Sequence, residues 1–465
     1  MTVQANGQGI MLFDHVRAAA EELESRLASG PIVPAAVSPE EIRRHLASHY
    51  DFAAPIALNA VGADVERMLR CWQVQVTHPR YFGLFNPSVT PASVVGDTLA
   101  AMYNPQLATW RTSPAANEIE RHTLGWLTRK FGLPAETVAT FTNGGAEANL
   151  SAVIVALTRT FPEYGDHGLQ RVSGVPTFYV TSQTHHSFYK IAHMTGLGRA
   201  AVRTVATDER LKMDLDDLGR RVAEDRKDGC VPFMVVGTAG TTAAGIIDPL
   251  PDLARFCESE RLWLHVDAAW GGAAILSPRL RGHLAGIERA DSITCDAHKW
   301  FSVPMGAGMF FCRHPASVDA AFHAETCYMP GRSEESTRDP YTTSVQWSRR
   351  FIGLKLFVAL AERGEQGYAD QIDHQARMGD LLRTALEDAG WRIVNETPLP
   401  VVCFTRDGLV PSDFLKDLFR RQIAWMSEVR LADGAPVLRA CLTSFRTTAA
   451  DVHSVVRDMS RRTDG

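Results

Sequence analysis

Apolar positions along the chain fall into two patterns. A period near 3.6 marks helices at Met11 to Ala28 and at Glu118 to Phe131, and Ser38-Pro39-Glu40-Glu41 announces another. There a serine cap, a proline in the first turn and a glutamate at the third helical position make a capping box. Short apolar and β-branched runs predict strands at Val138 to Phe141, Thr177 to Thr181, Pro232 to Thr238, Leu262 to Asp267 and Ser292 to Asp296. Segments of helical length separate them, so the pattern is α/β with a mostly parallel central sheet.

After Met309 to Cys312 the stretch Phe322 to Tyr341 is polar and irregular, of a length that points to a functional loop. A helix is expected over Arg349 to Arg363. It leads into a small α+β C-terminal domain with strands at Trp391 to Val394, Val401 to Thr405, Ile423 to Ser427 and Val437 to Leu442. The predicted division is an N-terminal helical segment over residues 1–90, a large domain over 91–352 and a small one over 353–465. The first helices cannot bury both faces alone, so they pack on the main body or on a partner subunit.

Composition narrows the function. A chain of 465 residues has room for two or three domains, and a net charge of −5 gives no reason to expect nucleic acid or an anionic membrane as partner. Met1 to Ile10 has neither a basic region nor an apolar core, and no run approaches the ~18 apolar residues of a membrane span. A cytoplasmic protein is expected. The eight cysteines contain no Cys-x-x-Cys, and no carboxylate or cysteine cluster completes His185-His186, so neither disulfides nor a metal site is predicted.

Candidate chemistry gathers where strands end. Lys299, between His298 and Trp300 just past the strand Ser292 to Asp296, is either a snorkelling side chain or a reactive amine. Asp267 closes another strand and meets Ala268-Ala269. An amine able to form a Schiff base and a carboxylate able to hold a pyridinium proton are the pair that pyridoxal 5'-phosphate requires. Gly144-Gly145-Ala146, between a strand and a helix, is an anion site or a tight turn. Gly144, His185, Thr238, Asp267 and Lys299 all follow a strand's carboxyl end, where open α/β sheets bind ligands.

Asp267-Ala-Ala followed by Asp296-Ala-His298-Lys299-Trp resembles the group II pyridoxal-phosphate decarboxylases, the family of aromatic-L-amino-acid and glutamate decarboxylases. The likeness runs from about Thr77 to the end of the chain. It implies a fold-type I, aspartate aminotransferase-like enzyme, a homodimer with the N-terminal segment at the interface. Its reaction would be α-decarboxylation of an L-amino acid to the amine and carbon dioxide. Aromatic substrates rank first, with an acidic or small polar amino acid, or an aldehyde-forming reaction, as alternatives. A transaminase and a catalytically dead scaffold rank below these.

The same resemblance assigns roles. Lys299 carries the cofactor, Asp267 pairs with its ring nitrogen, and the Gly145 and Ala146 amides take its phosphate. His185 and Ala269 clamp the ring, Thr238 lies near it, and His298 belongs to the cofactor set. Tyr328 closes over the site and donates the proton that completes the amine. At Asp296 relatives usually carry asparagine, which leaves that role open. The substrate pocket is expected from Leu84, Phe85, Gln106, Ala108, Arg111 and Trp347. Leu84, Phe85 and Trp347 favour an apolar side chain, whereas Gln106 and Arg111 suit a polar or acidic one. Ala108 stands where aromatic-selective relatives have a bulkier residue, and Arg439 is either a carboxylate ligand or a salt-bridge residue.

Overall fold

The structure, a computed structural model, describes residues 8–27, 29–32, 37–324, 337–431 and 434–460. Seven strands form the central sheet: β1 (Val138–Thr142), β2 (Val175–Thr181), β3 (Val202–Val205), β4 (Cys230–Thr238), β5 (Trp263–Asp267), β6 (Ser292–Asp296) and β7 (Gly308–Cys312). Their order is β1-β7-β6-β5-β4-β2-β3, and β7 runs antiparallel to both neighbours while the other pairs are parallel. All five predicted strands are present. The four-residue β3 was not anticipated, being too short and too exposed at Arg203 and Thr204 to carry an apolar run.

Sheets buried on both faces need two cores, and two are found. One face packs Ala148, Ala152, Val155 and Phe188 against Phe178, Met234, Val236 and Trp263. The other sets Leu250, Leu253, Ile287 and Trp300 against Val235, Leu264, Val266 and Ile293. Successive side chains of each strand therefore enter opposite cores, which is why the strands read as near-continuous apolar runs between helices.

A second sheet, in the order β10-β11-β9-β8, joins β8 (Arg392–Ile393), β9 (Val401–Thr405), β10 (Ser427–Arg430) and β11 (Pro436–Cys441), all antiparallel. The strand expected over Ile423 to Ser427 is corrected to Ser427–Arg430. Its apolar run does something else: Phe82 N–H donates to the Trp425 carbonyl (2.8 Å), and the Trp425 ring stacks on Tyr81 with centroids 5.3 Å apart. The run pins the segment around Tyr81 to the small core.

The helix expected over Arg349 to Arg363 starts later, at Leu354, and runs to Asp388. Its start is set by Glu120, which accepts the Gly353 amide (2.9 Å) and both Arg349 Nη atoms. At Gly364 the backbone turns to φ 66, ψ 175, which kinks the helix at a residue without a Cβ to clash. The segment before the kink sits in the main core through Leu356 and Ala359, and its far end reaches the small core through Leu382 and Leu386.

At the other end of the chain the predicted capping box forms as drawn. Ser38 Oγ accepts from the Glu41 amide (3.2 Å) and Glu41 Oε2 from the Ser38 amide (2.8 Å). The two helices Pro39–His49 and Leu58–Cys71 bury no residue within the single chain. A polar knot joins them instead, with His45, Tyr50 and Arg67 all on Asp64.

Candidate active site

The cleft opens at the carboxyl ends of β1, β2, β4, β5 and β6. After β1 the chain passes through Gly144 into the helix Gly145–Thr160, which has no side-chain cap. Its first amides, from Gly145 and Ala146, and its positive dipole end are thus left for an anion. The turn is tightly enclosed at Gly145. A Cβ at Gly145 would lie 3.0 Å from Asp296 Oδ2 and 3.2 Å from Ala269 Cβ, and one at Gly308 on β7 would lie 2.6 Å from Gly144 Cα.

Beside this cradle stand Lys299 and Asp296. Lys299 Nζ is 3.1 Å from Asp296 Oδ2, while Asp296 Oδ1 is buried without a partner. His298 Nδ1 accepts from the Ala307 amide (3.1 Å), which leaves the ring proton on Nε2, 3.7 Å from Asp296 Oδ2. Burial holds the His298 pKa below its ordinary value. The imidazole is therefore a neutral donor at neutral pH.

Deeper in the cleft, Asp267 accepts from the Ala269 amide at Oδ1 (3.1 Å) and from Asn149 Nδ2 at Oδ2 (2.9 Å). Thr238 is held by its amide, which donates to Asp248 Oδ2 (2.8 Å), and its buried Oγ1 has no partner. Asp248 also accepts the Met213 amide (2.8 Å), and burial pushes its pKa up to about 6. His185 is open to the cleft in the single chain. Its Nδ1 accepts from the Ser187 amide (3.3 Å), leaving Nε2 protonated, and surrounding protein lowers its pKa despite the nearby Asp267 charge.

An amine, a fixed carboxylate, an uncapped helix and an orphaned buried hydroxyl match the donor and acceptor set of pyridoxal phosphate. The residues expected to hold it, Gly145, Ala146, His185, Thr238, Asp267, Ala269, His298 and Lys299, come from elements that the sheet brings to one place.

The expected pocket residues separate into two groups. Phe85 is buried, stacked on Trp270 with centroids 4.5 Å apart, and Leu84 beside it is half exposed. Gln106 and Arg111 are exposed, Ala108 is buried, and Trp347 packs on Tyr341 at 4.9 Å. This second group is tied together by Tyr341 N–H to the Ala108 carbonyl (3.2 Å) and Gln106 Nε2 to Ser348 Oγ (2.8 Å). Gln346 links it to the cradle by donating to Glu147 (2.5 Å).

Arg439 makes no ion pair among the described residues, so the salt-bridge role expected as one alternative is not found there. It donates to Ser427 Oγ (3.0 Å) and to the carbonyls of Thr242 (2.6 Å) and Gly83 (3.4 Å), with Phe85 beneath its guanidinium. It clamps these loops together. Tyr328 lies outside the described residues. Sequence reasoning gave no role to Asn149, Ser187 and Asp248. Asn149 had a signal, since it is a polar residue one turn into a helix whose next residues, Leu150 to Leu157, are small or apolar.

Comparisons with known proteins place this geometry. The chain is 29% identical over 398 residues, 82% of its length and 80% of the relative's, to an aromatic-L-amino-acid decarboxylase of Bacillus atrophaeus. It is 30% identical over 376 residues, 79% of its length and 74% of the relative's, to the cysteine sulfinic acid decarboxylase of Homo sapiens. Its fold matches that of the Oryza sativa TDC crystallised with PLP and tryptamine, with a TM-score of 0.90 over 99% of both chains at 23% identity. The pyridoxal-dependent decarboxylase conserved domain spans residues 39–406. The chain belongs to the pyridoxal-dependent decarboxylase family and is a pyridoxal 5'-phosphate-dependent amino acid decarboxylase.

Proposed function

We propose that the substrate is an aromatic L-amino acid, released as its amine and carbon dioxide. The observation that carries this is the stack of buried Phe85 on Trp270, which would give the pocket an aromatic wall, while three of the five N–H donors of Arg439 beside it go to Ser427, Thr242 and Gly83. An acidic side chain on that wall would meet the Phe85–Trp270 stack, with Arg439 already hydrogen-bonded to Ser427, Thr242 and Gly83. Desolvating a carboxylate there without a partner costs several kcal/mol, whereas aromatic stacking gains roughly 1 kcal/mol beyond area burial. The second reading is an acidic or small polar amino acid, favoured by exposed Arg111 and Gln106 if that loop lines the pocket across a dimer. Measuring carbon dioxide release from each L-amino acid decides between them. Greatest turnover with glutamate, aspartate or cysteine sulfinate would overturn the aromatic reading.

Bound pyridoxal phosphate supplies an aldehyde that takes an amine covalently and a ring that accepts the electron pair left when the carboxylate departs. In our reading the chain's own residues do the rest. Gly145 and Ala146 bind the phosphate through their amides. Lys299 Nζ is the attachment point, with Asp296 as the acceptor that holds it when the substrate amine has taken its place. Asp267 keeps a proton at the ring nitrogen, and His185 and Ala269 flank the ring. Thr238 Oγ1 and His298 Nε2 are further donors to the bound cofactor. Tyr328 delivers a proton to the substrate carbon, a task for a weak acid that is protonated at neutral pH.

The assembly proposed is a homodimer. Supporting it are the exposed apolar residues Leu46, Leu58 and Leu69 on the N-terminal helices and Val94, Val95, Met102 and Tyr103 on the helix Pro91–Tyr103. Light scattering that gave a monomer at micromolar concentration would overturn this. We also propose a cytoplasmic setting, which suits the five buried free thiols at Cys257, Cys295, Cys312, Cys403 and Cys441. No helix among the described residues is long and apolar enough to cross a membrane.

A further inference from the structure

Five side chains run in single file from the interior of the sheet to the cleft. Trp263 Nε1 donates to Ser292 Oγ (2.8 Å), which lies 2.8 Å from His265 Nδ1. His265 Nε2 is 3.0 Å from Asn149 Oδ1, and Asn149 Nδ2 donates to Asp267 Oδ2 (2.9 Å). None of the five is more than 4% exposed, so bulk water offers them no other partners.

The direction of every bond follows from the two ends. An indole N–H can only donate, so Ser292 Oγ accepts there, and its own hydrogen goes to His265 Nδ1 when the ring is neutral with its proton on Nε2. A carboxylate can only accept, so Asn149 presents its amino group to Asp267 and its carbonyl oxygen to His265. The imidazole proton must then sit on Nε2. This arrangement requires a neutral ring, and burial pushes the His265 pKa down to about 4. With the ring neutral, the pure donor at one end and the pure acceptor at the other leave a single arrangement of the protons between them.

Three elements build it. Alternation along β5 puts Trp263, His265 and Asp267 on one face. The register of β6 sets Ser292 opposite His265. Asn149 comes down from the helix whose first residues, Gly145 and Ala146, form the anion cradle. One rigid helix thus spans from the phosphate cradle to Asp267.

We infer that Asn149, backed by His265, Ser292 and Trp263, is the positioning residue of Asp267, fixing its carboxylate so that the remaining lone pairs face the cleft and the cofactor's ring nitrogen. This rests on the ring-nitrogen role proposed above for Asp267. Asn149 touches neither substrate nor ring in this scheme. It acts through the orientation of the carboxylate, as outer partners orient ligands around metals.

The test loads the protein with pyridoxal phosphate labelled with 15N in the ring and follows that nitrogen's chemical shift against pH. Parent, Asp267→Asn and Asn149→Leu are compared, with cofactor affinity measured on each. In the parent the ring nitrogen should remain protonated through neutral pH, and in Asp267→Asn it should not. Asn149→Leu should lower the titration midpoint by about one pH unit, about tenfold in proton affinity. Its cofactor affinity should stay within about threefold, because the phosphate amides are intact. His265→Leu should shift the midpoint the same way by less. A midpoint in Asn149→Leu equal to the parent's would overturn the inference while leaving Asp267's role standing. A parent that behaves like Asp267→Asn would defeat the ring-nitrogen role, and the inference with it. If the leucine variant does not fold, Asn149→Ala, which only deletes atoms, answers the same question.

Discussion

The floor of the cleft and its rim are built on different principles. On the floor, Asp267, Asn149 and His265 stand on strands and a helix, buried and bonded to one another. In the segments we propose as its rim, Leu84, Gln106, Arg111 and Trp347 stand on connecting stretches and are partly or largely open to solvent. A buried polar chain cannot change one member without leaving another unsatisfied, at a cost of about 1–3 kcal/mol for each neutral group. An exposed loop residue carries no such penalty. The reaction can therefore be fixed by the sheet while the substrate is chosen by the loops, which fits relatives of one fold named for aromatic and for sulfinic amino acids.

Substitutions on the floor should test this contrast most severely. Lys299→Ala is expected to abolish covalent attachment of the cofactor and nearly all turnover, since no other amine replaces Nζ. Loss of the visible absorption that borohydride bleaches would report the first, and carbon dioxide release the second. Near-parental turnover would break the contrast outright. Asp267→Asn should keep cofactor through the phosphate cradle but lose roughly a hundredfold or more in kcat, because a neutral amide cannot hold the ring nitrogen protonated. A change of only a fewfold would remove the floor's claim to govern the chemistry.

Tyr328→Phe addresses the loop of our proposed mechanism. Carbon dioxide should still be released, but with little amine, the product shifting to aldehyde with ammonia and peroxide as molecular oxygen enters. Quantifying amine against peroxide checks it, and an unchanged amine yield would give the proton-donor role to another group, with His185 next in line.

Protonation offers a milder probe of the floor. The His265 pKa is about 4 in the folded protein against an ordinary 6.5, so between those values the unfolded chain binds a proton that the folded one refuses. Stability should therefore fall as pH drops from 6.5 towards 4, by on the order of 3 kcal/mol for this group. His78, also buried and lowered to about 4, acts with the same sign. Asp248, pushed up to about 6, acts with the opposite sign over part of this range, so urea midpoints at a series of pH values are compared between parent and His265→Gln, where the fall contributed by His265 should be missing. A slope identical in parent and variant would mean that His265 is not held neutral by the fold.

The smallest effect is expected on the rim. With an aromatic substrate, Arg111→Ala should change KM by less than about threefold, whereas for an acidic substrate losing a guanidinium partner removes on the order of 2 to 5 kcal/mol of binding. A large rise in KM with tyrosine or tryptophan would contradict the aromatic assignment.

Much of this was legible before any coordinates. Short apolar and β-branched runs located all five anticipated strands of the central sheet, because strands buried on both faces write themselves as apolar stretches. Lys299, Asp267 and Gly144-Gly145 could be found because each sits at a fixed offset from a strand's end. The capping box at Ser38 is local chemistry and formed as read. The helix ending at Asp388 was misjudged because its start depends on Glu120, distant in sequence, and its continuation on a kink at Gly364.

The sequence by itself determined that Trp263, His265 and Asp267 share a face, since alternation along a strand is a property of the backbone. Only the tertiary structure decided that Ser292 would lie opposite His265 and that Asn149 would descend between His265 and Asp267. Strand register and the docking of a helix across a sheet are set by packing between distant segments, and no local pattern records them. For the same reason the sequence could not show that Ser427, Thr242 and Gly83 would fold around Arg439 and take three of its donors.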